Sequence, residues 1–165
     1  MDNMPLNVVI LGSIPESILV MALGLVMIGI KPSWRRLIIA AVIQGIIAYF
    51  VRRDVPFGVH VLYLYASFVF LTWLIVKVPF ITSVFSNLLG VVLNSLVEGL
   101  YSIIALGLLD ISFGEIMSRS WLRILIFTPK LLILLGILYL CIKYKFTLEE
   151  EFKVIKNFKG REDSF

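Results

Sequence analysis

Cysteine, histidine and charge are all scarce in this sequence. Cys141 is the only cysteine, which excludes an intrachain disulfide and a cysteine-based zinc site. It lies near the end of an apolar run and reads as a small buried hydrophobe, with palmitoylation of a juxtamembrane thiol as the chemical alternative. His60 is the only histidine, and it reads as an interfacial side chain rather than a metal ligand. No phosphate-cradling glycine loop, HExxH, CxxC or GxSxG occurs. The expectation is a protein that is not an enzyme and carries no cofactor and no metal.

Acidic and basic residues make up 16% of the 165 positions, against about 25% in an average soluble domain. Hydrophobic residues make up 60%. A core of this size could not hide that much apolar surface, so the expected partner is the lipid bilayer. The net charge of +4 comes from basic residues at the ends of apolar runs and in the tail. They form no aromatic-interleaved basic face, so the charge reflects membrane topology and not nucleic-acid binding.

Five apolar runs predict an all-α, polytopic transmembrane helix bundle over residues 1–143, with spans at about 7–30, 35–52, 57–77, 80–109 and 120–143. The N-terminus, Met-Asp-Asn-Met-Pro, lacks a basic stretch, so the first run is expected to be a retained span and not a cleaved signal peptide. Gly29, Lys31 and Pro32 close it. The second run is bracketed by Arg35, Arg36, Arg52 and Arg53, whose side chains can snorkel to the headgroups. Pro56 and Gly58 interrupt the next connection. At 1.5 Å per residue the fourth run would be about 45 Å long, against a hydrocarbon thickness near 30 Å. It reads as one tilted or kinked helix, with a re-entrant start as the alternative. Residues 144–165 form a charged tail in which Glu149, Glu150 and Glu151 precede Lys153 and Lys156 at helical spacing, so a partly helical tail is expected.

Basic residues also set the orientation. Five spans put Lys31, Arg35, Arg36, Lys77 and six tail residues on one side, and Arg52, Arg53, Arg119 and Arg123 on the other, ten against four. The richer side is cytoplasmic by the positive-inside rule. The N-terminus is therefore expected outside and the tail inside.

Ionisable groups at membrane depth are costly and usually face a partner, a cavity or water. With this topology Glu16, Glu98 and Lys130 all lie roughly 14 to 16 Å below the outer surface. The expectation is an outward-facing polar cluster in which Lys130 pairs with Glu98, Glu16 or both, with His60 nearer its mouth. On the fourth helix Ser83, Asn87, Gly90, Asn94, Glu98 and Tyr101 follow spacings of three and four and so share one face. Asn87 and Asn94 are counted with the cluster. The stripe has two readings, a ligand site and interhelical glue. Glu16 has a second reading too, because Ser13-Ile14-Pro15-Glu16 fits a capping box that would start the helix at Ser13. Pro129 should bend the last span beside Lys130 and free the carbonyl of Leu125.

The segments Ile14-Pro15-Glu16-Ser17, Leu25-Val26-Met27-Ile28-Gly29-Ile30-Lys31-Pro32 and Val55-Pro56-Phe57-Gly58-Val59-His60 resemble the N-terminal membrane region of bacterial histidine kinases of the sporulation and quorum-sensing types. The resemblance covers about residues 7 to 145. It implies a sensor-like module in a bacterial cell membrane, and the short tail implies one without kinase activity. Three functions follow as expectations. The first is a non-enzymatic sensory or regulatory module that binds a small or lipidic ligand and passes the change through the last span to a membrane or cytoplasmic protein partner. The second is a small transport subunit or oligomeric channel using Glu98 and Lys130, which brings in a homo-oligomer. The third is a membrane assembly factor.

Overall fold

The computed structural model describes residues 9–56, 59–109 and 120–144, and these are all-helical apart from short connections. α1 is Val9–Met27, α2 is Trp34–Asp54, α3 is Val59–Val76, α4 is Phe80–Leu109 and α5 is Ser120–Tyr144. Among the described residues four helices are long and apolar enough to cross a membrane: α1, α2, α3 and Phe80–Ala105 of α4. α5 is not one of the four and carries Arg123, Lys130 and Lys143. Its 25 residues extend about 37 Å at helical rise. The tail expected over 144–165 lies outside the described residues except for Tyr144, as does Gly58 of the connection before α3.

α1 is the hub of the bundle, packing against α2, α4 and α5. Apolar all round from Ile18 to Met27, it can bury every face, and Leu19 to Val26 are all buried. The helix opens with a π-helical turn over Val9–Ser13. Pro15 lacks an N–H for the carbonyl of Leu11 and its ring crowds that oxygen, so a widened turn ahead of it lets the helix pass the proline. At the other end Gly29 has φ 82°, the left-handed region that glycine occupies without a Cβ clash. Ile30 N–H donates to Leu25 O and Gly29 N–H to Val26 O, both at 2.9 Å. That pair of bonds is a Schellman ending, and Ile30 packs back onto the apolar core.

Phe80–Leu109 is one uninterrupted α-helix, with no re-entrant break. It crosses α1 at two glycines. A methyl group at Gly24 would overlap the carbonyl oxygen of Ser86, and one at Gly90 would overlap that of Val20. Only a bare Cα–H fits at either place, and membrane helices use such small residues to bring their backbones together. The contacts pair residue 20 with 90 and 24 with 86, so the two helices run antiparallel in a fixed register.

Candidate functional site

The register that seats Gly24 and Gly90 sets Glu16 beside Asn94, one further turn along both helices. Asn94 Nδ2 donates to Glu16 Oε1 at 2.9 Å. Into the same place α5 brings Lys130, whose Nζ lies 2.6 Å from Glu16 Oε1 and 3.0 Å from Glu98 Oε2. Asn94 and Glu98 are four residues apart on α4 and so share a face. Lys130 heads a stripe on α5 that continues through Leu134, Leu138 and Cys141, all buried. That apolar stripe carries the ammonium into the bundle.

Exposure is unequal across the cluster. The side chain of Lys130 is 3% exposed, that of Glu16 22% and that of Glu98 44%. One cation therefore serves two carboxylates, the inner one enclosed and the outer one on the bundle surface. Arg52, at the end of α2, is also within electrostatic reach of Glu16. Two acceptor atoms beside the cluster stay unused among the described residues: Asn94 Oδ1 and the hydroxyl of Ser13, both buried.

The capping-box reading of Glu16 is not what the structure adopts. Ser13 has helical angles (φ −67°, ψ −36°) and its side chain makes no capping bond. The helix already begins at Val9, so Ser13 is inside it. The Ser13 carbonyl accepts a 2.7 Å bond from Ser17 Oγ, and Glu16 turns to Lys130 instead.

The structure brings Glu16, Asn94, Glu98 and Lys130 together, but it places Asn87 elsewhere. Asn87 Nδ2 donates to Thr72 Oγ1 at 3.0 Å and to Ser83 O at 2.8 Å, at the level where α3 turns π-helical over Thr72–Val76. Seven residues of helix separate Asn87 from Asn94, about 10 Å of rise. His60 stands half-buried at the start of α3, its N–H donated to Pro56 O. Cys141 is a buried free thiol in the apolar core.

Among the buried polar side chains that sequence reasoning passed over, two join helices. Gln44 on α2 donates to Leu64 O at 3.3 Å and accepts from Ser67 Oγ at 2.8 Å, tying α2 to α3. Thr72 is the other, the partner of Asn87. A single amide inside an apolar run makes no periodic stripe. Its signal was its isolation: Gln44 is the only carboxamide in the second run. The described pocket, about 290 Å³, is an apolar surface groove lined by Ile47, Ala66, Ser67, Phe70 and Leu71, on the α2–α3 side and away from the charges.

Set against known proteins, the chain matches no family model, no curated protein and no solved structure. What defines it is therefore its own geometry: an all-helical, multi-helix membrane protein by length and apolarity, with a charged cluster closed across three helices.

Proposed function

We propose that the chain is a five-span protein of a bacterial cell membrane, with its N-terminus outside and its tail in the cytoplasm, acting as a non-enzymatic sensory or regulatory module. The observation that carries this reading is the enclosed Lys130 held between Glu16 and Glu98. The three charges meet at one level of the bundle, as a five-span topology would require, and that supports reading α5 as the fifth span. They also tie the outer half of α5, beside Pro129, to α1 and α4.

A small ligand, a lipid headgroup or a membrane partner that engaged either carboxylate would weaken that tie. α5 would then shift against a bundle whose buried contacts below Lys130, at Leu134, Leu138 and Cys141, are apolar and carry no directional bond among the described residues. The tail that follows α5 would report the shift to a cytoplasmic partner. Charged groups at this depth are retained where they do work of this kind.

Cys141, the only thiol, is a built-in probe because it lies on the same buried stripe of α5. Labelling it with N-ethylmaleimide in the native protein should be slow. Lys130→Met should raise the rate more than about tenfold by making local opening of α5 easier. An unchanged rate would separate the charged cluster from α5 motion and sink the reading.

A further inference from the structure

Glu98 is the member of the cluster whose surroundings are incomplete. Its Oε2 shares Lys130 with Glu16, while its side chain remains 44% exposed. Among the described residues its second oxygen accepts no hydrogen bond. Next to it on the helical wheel, on the uncovered side, lie Ser95, Ser102 and Gly99. Ser95 and Gly99 are exposed and Ser102 is half-exposed. A methyl at Gly99 would meet nothing within 4 Å. Farther round, Leu96, Leu100 and Ile103 are 58%, 65% and 73% exposed.

Those leucines and the isoleucine need no cover, because lipid tails satisfy them as well as protein would. A carboxylate oxygen does need cover, because hydrocarbon offers no donor and an unsatisfied charged group there is costly. The three small residues beside it make a shallow shoulder over which another helix can approach closely.

We infer that the Glu98 face of α4 docks a transmembrane helix of a partner protein that carries a lysine or arginine at the depth of Glu98. Charge complementarity selects this occupant. The cluster presents two carboxylates to one lysine, and the inner carboxylate, Glu16, also accepts from Asn94 Nδ2. The outer carboxylate is the one left with only a shared cation among the described residues. A second copy of this chain meeting the first across a two-fold axis would set Glu98 against Glu98, and like charges at that spacing repel. The inference rests on reading α4 as a membrane span, but it does not need α5 to move. It can fail while the Cys141 result stands, and the reverse.

The test uses the full chain in liposomes and a fluorescent synthetic helix of about 23 leucine and alanine residues, long enough to span, with one central lysine. The control helix has leucine at that position, and energy transfer reads the association. The lysine helix should bind at least about tenfold more tightly than the control, a gap within the range of intramembrane polar contacts. Glu98→Gln should abolish the difference. Gly99→Leu, which blocks the shoulder and leaves both carboxylates on Lys130, should weaken binding of the lysine helix. Equal binding of the two helices, or a lysine preference that survives Glu98→Gln, would overturn the inference. Self-association of the chain that Glu98→Gln dissolves would assign the face to a second copy and overturn it as well.

Discussion

Replacing Lys130 by methionine keeps the length of the side chain and removes the cation on which two carboxylates close. Lys130 and Glu16 are shielded from solvent at a separation of 2.6 Å. Removing one partner of a buried pair costs about 3–5 kcal/mol, because the other charge is left uncompensated. Glu98 is too exposed to add more than about 0–1 kcal/mol on its own side of the cluster. In a bilayer the unfolded reference also finds polar partners, which reduces such costs. The lower end therefore applies, and Lys130→Met should destabilise the bundle by about 3 kcal/mol, roughly a hundredfold in the unfolding equilibrium. The triple variant Glu16→Gln, Glu98→Gln, Lys130→Met should recover to within about 1 kcal/mol of the parent, since a whole ionic cluster can be replaced nearly neutrally. Equilibrium unfolding by SDS in mixed micelles, followed by tryptophan fluorescence and helical circular dichroism, reads both. A Lys130→Met variant within about 0.5 kcal/mol of the parent would refute the reasoning. So would a triple variant no more stable than the single one.

The α1–α4 crossing supplies a second expectation. Gly24→Ala or Gly90→Ala forces the backbones apart and should cost about 1–3 kcal/mol as overpacking, whereas Gly99→Ala, with open space around it, should be neutral or slightly stabilising in the same titration. Asn87→Ala leaves the hydroxyl of Thr72 without its partner and should cost about 1–2 kcal/mol, most of which Thr72→Val restores in the double variant. Gly29→Ala at φ 82° should cost about 1 kcal/mol by straining the end of α1.

The helices and the level of the charges were legible because each depends on one local rule. Apolar runs of about 20 residues mark spans, and a rise of 1.5 Å converts residue number into depth. Counting residues along the helices was enough to expect Glu16, Glu98 and Lys130 at one level, and the three side chains meet. Which neighbours a polar stripe meets is a different matter. The α4 stripe holds one face by period, yet at Asn87 that face meets Thr72 of α3, and at Asn94 and Glu98 it meets α1 and α5. Periodicity specifies the face and leaves the neighbour to the packing of the whole bundle. The capping alternative at Ser13–Glu16 is not adopted for a related reason. A capping box presumes that the helix starts there, while this helix begins a turn earlier in a π-helical segment, and a distant lysine offered Glu16 a stronger partner.

The crossing of α1 and α4 works like a key in a lock with teeth four residues apart. Glu16 meets Asn94, Val20 meets Gly90 and Gly24 meets Ser86. Sliding α1 by one turn in one direction would set Glu16 against Glu98 and Val20 against Asn94. Sliding it the other way would bring Glu16 onto Gly90 and take it away from Asn94. Either displacement gives up a close glycine seat or an amide bond, so this pair cannot act as a piston. On α5, by contrast, Lys130 is the polar tooth that closes on α1 and α4, and the buried stripe beneath it, Leu134, Leu138 and Cys141, is apolar.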